Sequence, residues 1–576
     1  MKKNSITYIT TWLGMMFIVI SLGCQNALDL KPLDQVSDAN FWNDATKFKL
    51  AANNFYGYLR TFGNNNGDGH LGTDLGPDRG ALARGTNTVV SNDNNYNDAY
   101  KWIRSINYML AKAAVYPKPQ EIKTYVAEAK FFRGYVYFDK LLTSYGGVIL
   151  VKDVLDVDSP ELKATRNTRD ETIDFIIKDL EEAIVDLPIE NTILAGDKGR
   201  ISKGAAQAFL GRVALYEGTW QKFRGNITRA NTLLDKAISN SEAVISSAQY
   251  SLFKPVALGD SALKYLFILE NQKSNPAGVT KAANQEYILG VRYESNNLLR
   301  TIPGSISFYS LGPDLSRTMA DMYLSSDGLP IDKTKMPFSR QKLDAEYKNR
   351  DNRMSNFMMI PGRPYWQNAV NYHINWDWGP ADMMNARIHD PWNGDVTGYN
   401  GQQWSAERQV PNNQEGYDYP VIRLAEVYLN YAEAVFERSG SISDNDLNKS
   451  LNLVRTRINK NMPVLSNALV NNNGLSMREE IRRERAVELQ GENFRMDDLK
   501  RWYIAHIELT KPSLGVRWKG TEFETKYTKT PPPLTAEGDV IADPVKERKF
   551  SEKNYLIPIP TNQMQLNPNL TQNPGW

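Results

Sequence analysis

Residues 417–437 read YDYPVIRLAEVYLNYAEAVFE, and two charged segments follow, LNKSLNLVRTRIN at 447–459 and MREEIRRERAVELQGENFRMDDLKRW at 477–502. In the first segment apolar side chains recur with helical spacing, at Leu424, Val427, Tyr428, Tyr431 and Val435. This spacing predicts a helix with one buried stripe. The charged side chains lie mostly off the stripe, at Arg423, Glu426, Glu433 and Glu437. Short amphipathic helices with brief connectors are typical of antiparallel helix pairs.

The two later segments continue this series of helices. Asp444 and Asp446 precede the second apolar run, and acidic side chains suit the start of a helix. Ser476 and Glu479 have the spacing of a capping box, which predicts that a third helix begins there. We interpret the many Arg and Glu residues of this third helix as ion pairs on and between packed helices, not as catalytic groups.

Helical spacing also fills most of the first half of the chain. It predicts helices at 41–60, 100–116, 122–145, 169–187, 202–220 and 227–246. From about residue 251 to 414 the helical period fades; LKYLFILENQ at 263–272 reads as a strand, and VILVKDV at 148–154 reads as extended. We predict a mainly α fold, a tetratricopeptide-like scaffold of helical pairs with a large irregular insertion of loops and short strands. The expected regions are 41–250 and 415–576 for the helices and 251–414 for the insertion.

The N-terminus has the form of an export signal. Two lysines precede an apolar run from residue 12 to 22, which is too short for a comfortable transmembrane span. The run leads into Ser-Leu-Gly-Cys24, which resembles a bacterial lipobox and contains the only cysteine of the chain. We predict a signal peptide at 1–23, lipid attachment to Cys24 and a polar tether at 24–40. A plain secretory signal with an incidental cysteine is the alternative.

Composition argues against several classes of function. The chain carries 68 Lys and Arg residues against 66 Asp and Glu residues, and this balance gives no support to nucleic acid as a partner. A single cysteine excludes an intramolecular disulfide and a cysteine-based zinc cluster. The histidines, His70, His373, His389 and His506, are far apart and lack the i, i+4 spacing of a helical metal pair. We predict no cofactor and no metal site, and leave open a structural Ca²⁺ that orders a loop.

No catalytic motif is recognisable in the sequence. The G-x-S-x-G, P-loop and H-E-x-x-H patterns are missing, as is a G-x-G-x-x-G after a strand. A glycosidase needs two carboxylates at a fixed separation, but acidic pairs can be chosen anywhere in a chain with 66 acidic residues. The sequence therefore favours a binding protein over an enzyme.

The strongest chemical signal lies at 365–404, YWQNAVNYHINWDWGPADMMNARIHDPWNGDVTGYNGQQW. This segment holds five of the twelve tryptophans, and Tyr399 adds to them; the tryptophans are Trp366, Trp376, Trp378, Trp392 and Trp404. They alternate irregularly with Asn, Asp, Gln and Gly. Indole and phenol rings stack on the apolar faces of sugars, while amide and carboxylate groups bind the hydroxyls. The segment therefore suits a glycan platform.

Individual aromatic residues in this segment have a structural alternative. A single tryptophan is more often a buried anchor of a long loop than a ligand contact. Trp376 and Trp378 are our first choice as ligand contacts, because residues at i and i+2 share one face of an extended segment. Tyr287 and Arg292, in EYILGVRY, are further candidates.

Three pieces of the chain resemble the SusD/RagB family of outer-membrane nutrient-binding lipoproteins of Bacteroidetes. They are the stretch 417–502, the ending YLIPIPTNQMQLNPNLTQNPGW at 555–576, and AEAKFFRGYVYFDKLLTSYGGVIL at 127–150. The resemblance implies that the Gly- and Asn-rich loop at 61–98 borders the ligand site. Asp74, Arg79 and Tyr96 are its candidate contacts; a solvated loop held by Asx turns is the alternative.

The resemblance also implies a function. Family members capture an oligosaccharide or glycan at the cell surface, without catalysis, and deliver it to a SusC-like TonB-dependent transporter. The expected location is the outer face of the outer membrane, with the lipid on Cys24 as anchor. A RagB-like peptide-binding protein is the alternative, and a glycoside hydrolase is a remote one.

Overall fold

The structure is a computed structural model. It describes residues 41–62, 72–77, 80–294, 315–342, 344–360, 397–404, 415–526 and 533–576, and the backbone of 364–367 and 370–373. Helices dominate these residues and the strands there are short, so the predicted mainly α fold is confirmed. The predicted signal peptide, Cys24 and the tether lie outside the described residues.

The helices of the first half follow one another in a stack. They are α1 (Ala45–Phe55), α2 (Ala81–Arg84), α3 (Asn94–Ala114), α4 (Pro119–Val136), α5 (Thr143–Tyr145), α6 (Arg169–Asp186), α7 (Lys203–Lys222) and α8 (Ile227–Ser246). α3 packs on α4, α4 on α6, α6 on α7, and α7 on α8. All six helices predicted in this half are present, and α8 has the predicted bounds.

The long helix predicted at 122–145 has a change of pitch inside it. It consists of α4, a π-helical turn at Tyr137–Leu142 and α5. Gly146 ends it with a φ of 79°, a conformation that favours glycine. The segment after it is held by Asn167, whose side chain accepts from the backbone N–H of Leu150 (3.0 Å). Residues 148–154 belong to no helix or strand and bend at Asp153, so their predicted extended conformation stays a prediction.

Glycines bring α7 and α8 close together. A Cβ at Gly211 would lie 3.0 Å from the Oγ of Ser241, and a Cβ at Gly218 would lie 3.0 Å from the Cγ of Leu234. Larger residues at these positions would push the two helices apart. Gly211 and Gly218 of α7 thus permit the close contact with α8.

The helices of the second half extend the stack. They are α9 (Ala262–Leu266), α10 (Arg317–Met322), α11 (Asn352–Phe357), α12 (Leu424–Ser439), α13 (Asp444–Asn448), α14 (Leu451–Arg455), α15 (Asn467–Asn472), α16 (Met477–Glu488), α17 (Arg495–Arg501), α18 (Ala505–Glu508), α19 (Glu522–Lys526) and α20 (Thr561–Leu566). α12 packs on both α8 and α16. The N-cap of α13 is Ser443, so Asp444 lies in its first turn. Ser476 caps α16 as predicted, by accepting from the backbone N–H of Glu479 (3.5 Å).

The described strands form three two-stranded antiparallel sheets. They are β1 (Tyr287–Val291) with β4 (Tyr419–Arg423), β2 (Pro364–Gln367) with β3 (Val370–His373), and β5 (Ser513–Arg517) with β6 (Asp539–Asp543). The strand predicted at 263–272 is wrong, because α9 occupies its start. Leu263 and Leu266, three residues apart, are buried there. A short apolar run fits the period of a helix as well as that of a strand.

One hydrophobic core cluster connects all three regions. It includes Phe48 of α1, Tyr135 of α4, Phe267 of the insertion, Val427 of α12 and Ile559 near the C-terminus. The three predicted regions therefore share one core, and their boundaries at residues 250 and 414 stay a prediction. No helix in the described part of the chain is long and apolar enough to cross a bilayer.

Candidate functional site

Five aromatic rings from distant parts of the chain meet in one cluster, which we call the loop base. They are Phe62, Tyr293, Trp404, Tyr417 and Tyr419. The ring centroid of Phe62 lies 5.8 Å from that of Tyr293, 4.9 Å from that of Trp404 and 5.1 Å from that of Tyr419. Trp404 is stacked with Tyr417 at 6.2 Å and with Tyr419 at 6.0 Å. Phe62, Trp404, Tyr417 and Tyr419 belong to the main hydrophobic core cluster, and Tyr293 packs against it.

The loop base adjoins three segments that lie outside the described residues. Phe62 directly precedes 63–71, Tyr293 stands two residues before 295–314, and Trp404 directly precedes 405–414. One end of each of these three segments is therefore next to the loop base in the chain.

Backbone hydrogen bonds join the other flanking residues. They run from Leu315 N–H to Tyr399 O (2.8 Å), from Ser316 N–H to Leu75 O (2.7 Å), and from Met359 N–H to Asn400 O (2.8 Å). Leu315 directly follows 295–314, Leu75 lies four residues after 63–71, and Tyr399 lies three residues after 374–396. The described residues around these segments are thus bonded to one another.

Trp404 and Tyr399 are core residues, which corrects their prediction as ligand contacts. Trp404 is 2% exposed, and its ring also contacts Phe267 at 4.8 Å. Tyr399 is 1% exposed, and its hydroxyl donates to the carboxylate of Glu346 (2.9 Å). A ligand cannot stack on rings that are covered on both faces, so both residues anchor the chain on the C-terminal side of the aromatic segment.

Asp74 and Tyr96 are also largely buried, at 7% and 4% exposed. Asp74 is corrected to a structural residue, whereas Tyr96 lines an open cleft of about 520 Å³ and its role as a ligand contact stays a prediction. The Asp74 carboxylate accepts two hydrogen bonds from Arg495, at 2.8 and 2.7 Å. The Tyr96 ring lies edge-on to Tyr145, with centroids 5.1 Å apart. Asp74 instead ties the residues after 63–71 to α17, since its only charged hydrogen-bond partner among the described residues is Arg495.

Tyr287 and Arg292 lie at the two ends of the strand region of β1. Tyr287 is partly buried, and its hydroxyl donates to the carbonyl of Leu266 (3.3 Å). Burial raises its pKa well above the ordinary value. Arg292 is exposed and donates to the carbonyl of Lys198 (3.3 Å). Arg292 is therefore accessible, whereas the Tyr287 hydroxyl is already bonded within the protein.

The remaining candidates lie where the structure describes no side chains. Trp376, Trp378, Trp392 and Arg79 are outside the described residues. Trp366 belongs to β2, whose backbone pairs it with Asn371 of β3. Their prediction as ligand contacts stays a prediction.

An open cleft of about 600 Å³, the insertion cleft, lies beside α10. Its lining includes Asp321, Asp332, Phe338, Arg340 and Arg483. The Arg340 guanidinium lies 4.8 Å from the centre of the Phe338 ring and 2.6 Å from the Asp321 carboxylate. Burial raises the pKa of Asp321, while Arg340 opposes this effect. The cleft combines an aromatic ring with hydrogen-bond donors and acceptors.

The insertion cleft is connected to the aromatic segment through Glu346. Its carboxylate accepts from the Tyr399 hydroxyl (2.9 Å) and from Arg340 Nε (3.2 Å). Sequence reasoning missed this cleft, because Phe338 is the only aromatic residue between Tyr323 and Tyr347, so the segment shows no aromatic enrichment. In the described part of the chain, no group of three or more His, Cys, Asp or Glu residues is placed to hold a metal ion.

The sequence matches two family models. Residues 272–576 match the model of the SusD family, which is more than half of the chain. The chain belongs to the SusD family. Residues 81–215 match a second model, described as starch-binding associating with outer membrane. The resemblance stated from the sequence is therefore confirmed.

Similar proteins agree with this assignment. A SusD-like protein of Bacteroides ovatus is 24% identical over 407 residues, which are 69% of this chain and 62% of that protein, so the chain spans less than two thirds of this relative. The fold matches the crystal structure of a SusD-like carbohydrate binding protein of Bacteroides fragilis (22% identity, TM-score 0.69, 92% of this chain and 100% of that one). It also matches surface glycan-binding protein A of Bacteroides fluxus (18% identity, TM-score 0.57, 92% and 100%).

Proposed function

We propose that this SusD-family protein binds an oligosaccharide or glycan at the cell surface and delivers it, unaltered, to a SusC-like TonB-dependent transporter. Two similar folds belong to proteins named for carbohydrate or glycan binding. The observation that carries the proposal is the loop base, where polar and aromatic segments that are distant in sequence join the core together. Binding residues are commonly carried by loops on a rigid scaffold.

The chemistry of the aromatic segment suits a sugar ligand. Trp376 and Trp378 are the proposed stacking platforms, because indole rings cover the apolar faces of pyranose rings. The further proposed contacts are Trp366, Trp392, Arg79 and Arg292. Trp404 and Tyr399 have the role of anchors in this proposal, since both are buried.

The insertion cleft would extend the same ligand surface. The Phe338 ring offers an apolar face, and Asp321 and Arg340 offer bonds to hydroxyl groups. These two side chains form an ion pair (2.6 Å) and lie beside Glu346 and Tyr399. We assign them to binding, because the ion pair holds a guanidinium donor and a carboxylate acceptor in place for hydroxyl groups.

The proposed location is the outer membrane, with the protein anchored by lipid on Cys24. One matched family model is described as associating with the outer membrane. The predicted signal peptide at 1–23 would be removed, and residues 24–40 would join the anchor to the helical scaffold. Metabolic labelling with a fatty-acid analogue tests this directly, since Cys24→Ala should abolish the label.

Substitution of the two tryptophans tests the site. Trp376→Ala and Trp378→Ala should each lower glycan affinity about two- to tenfold, the loss of one ring contact, without lowering the melting temperature. Trp576→Ala is a matched control, because its indole bonds to carbonyls of the C-terminal region (3.0 Å each). Unchanged affinity in both variants would remove these tryptophans from the site.

A further inference from the structure

The helical scaffold carries a second cleft, between α1 and α3, that we call the scaffold cleft. Its volume is about 360 Å³. Five aromatic rings contribute to its lining, those of Phe41, Trp42, Phe55, Tyr58 and Tyr108, and all of them except Phe55 are only partly buried. Rings that serve only core packing are usually buried. The partly exposed rings around this opening therefore suggest a binding role.

The rings of the scaffold cleft are held in place by the core. Tyr58 is stacked on Trp102, with centroids 4.6 Å apart and an angle of 13°. The Trp42 ring lies 5.0 Å from Phe48 and 6.1 Å from Tyr108. All but Phe48 are only partly buried. A preformed aromatic surface loses little conformational freedom when a ligand binds.

The polar lining of the cleft indicates a neutral ligand. Asn54, Arg104 and Ser105 are exposed at its rim. No carboxylate is among the described lining residues, and the one guanidinium, that of Arg104, already donates to the carbonyl of Leu155 (2.6 Å). For an anionic ligand the cleft offers one cationic side chain, Arg104, which is already hydrogen-bonded within the protein. A ligand with apolar faces and hydroxyl groups at its edges could stack on the aromatic rings and form hydrogen bonds with the Asn54 amide.

We infer that the scaffold cleft is a second carbohydrate-binding site, which takes one or two sugar residues of the glycan that the protein binds. This inference rests on the proposed function. Tyr58 stands four residues before Phe62 of the loop base, so their Cα atoms are at most about 14 Å apart. The cleft therefore lies close to the start of the segment 63–71, and a polymer that contacts both the cleft and the loops is bound more tightly than by either contact alone.

The test compares variants of the two sites on one set of ligands. The protein from Gln25 onward is assayed by affinity gel and calorimetry against starch, laminarin, xylan, mannan and pectin. Tyr108→Ala removes a ring, and Asn54→Ala removes an exposed amide at little risk to folding. Lys101→Ala is the control, since Lys101 is exposed on α3 and does not line the cleft. Both cleft variants should weaken binding of the retained polysaccharide about two- to tenfold, and the control should not.

The outcomes separate the inference from the proposed function. Binding that falls in Trp376→Ala and Trp378→Ala but stays unchanged in both cleft variants overturns the inference and leaves the proposed function standing. If the wild-type protein retains no polysaccharide, the proposed function fails and the inference fails with it. Losses at both sites, larger when combined in one protein, support a two-site surface.

Discussion

At the scale of single residues, buried ion pairs fix the strand that leads to the loop base. Arg423, the last residue of β4, is 1% exposed, and its guanidinium lies close to Glu286 (2.9 Å), Glu488 (2.7 Å) and Glu492 (2.6 Å). Tyr419, at the start of the same strand, belongs to the loop base. A buried charge that loses its partner costs several kcal/mol, so these carboxylates hold β4 in place.

Glu488→Gln should destabilise the protein by about 3–5 kcal/mol, because it removes the charge that Arg353, Arg423 and Arg457 share. Urea denaturation measures the change in the free energy of unfolding. Glu479→Gln on the same helix is the control; its side chain is 59% exposed and should change stability by less than about 1 kcal/mol. Equal effects of the two substitutions would contradict the role given to the buried cluster.

Low pH should lower the free energy of unfolding, because it protonates buried carboxylates of this kind. Burial acts to raise the pKa of Glu488, but Arg457, Arg423 and Arg353 outweigh it and lower the pKa to about 2; for Glu433, Arg501 does the same. Each group's stabilisation is complete above its unfolded-state pKa of 4.5 and is lost as the pH falls towards 2. The loss is roughly 3 kcal/mol per group.

Unfolding curves between pH 2 and 7 measure this loss. Glu488→Gln should show a shallower decline below pH 4.5 than the wild type. Glu492 has the opposite pH dependence, because burial raises its pKa to about 7. Its contribution to the free energy of unfolding is complete below pH 4.5 and is lost as the pH rises towards 7. Parallel curves for the wild type and Glu488→Gln would contradict the assignment.

The sequence predicted the apolar stripe of α12 but not the burial of its charges. Leu424, Val427 and Tyr431 are buried as expected. Glu426 and Glu433, expected mostly off the stripe, are each 1% exposed. Their partners, Arg212 and Arg501, come from other helices far along the chain. Hydrophobic periodicity counts such residues as surface, because it contains no information about a distant counter-charge.

At the scale of elements, strand β5 contacts the start of the segment 397–404. The backbone N–H of Val516 donates to the carbonyl of Thr397 (2.6 Å). A Cβ at Gly515 would lie 2.2 Å from that same carbonyl oxygen. Only glycine permits this approach, and the segment from Thr397 to Trp404 depends on it.

Gly515→Ala should therefore displace the 397–404 segment and destabilise the protein by about 1–3 kcal/mol. Glycan affinity should fall as well, since the same segment carries Tyr399 and Trp404. Gly196→Ala is the matched control, because a Cβ there meets no atom within 4 Å. Thermal melting and glycan calorimetry on both variants test the prediction, and a wild-type response from Gly515→Ala would contradict it.

Aromatic enrichment predicts that residues 365–404 contact the ligand, but it could not show that Tyr399 and Trp404 are buried anchors. Trp404 packs on Phe62 and Phe267, which lie 342 and 137 residues earlier in the chain. No local pattern around Trp404 reveals these contacts. The insertion cleft was missed for a similar reason, because Asp321, Phe338 and Arg340 are brought together only by the fold.

At the scale of the whole molecule, the two helical regions form one stack. α12 packs on α8, and the main core cluster contains residues from Phe48 to Leu570. Short helices with brief connectors were enough to predict this architecture, since antiparallel pairs follow from local spacing. The join between α8 and α12, which are separated by the insertion, was not predictable from local spacing.

A fragment of residues 41–250 should consequently fail to fold as it does in the full protein. Its α8 would expose the face that α12 covers, including Leu234 and Ala237, which share a cluster with Ala434. The full protein should melt in a single calorimetric transition, whereas the fragment should lack a cooperative one. Two separate transitions in the full protein would contradict a shared core.

The central claim is that the loops around the loop base, together with the insertion cleft, bind a glycan. The most direct measurement is a screen of the protein from Gln25 onward against a polysaccharide panel and a peptide pool, by affinity gel and calorimetry. The account predicts retention by at least one class of polysaccharide, with affinity little changed by salt, because stacking and hydroxyl bonds carry it. Heat from the peptides together with no retention on any polysaccharide would contradict the account and assign the surface to peptide uptake.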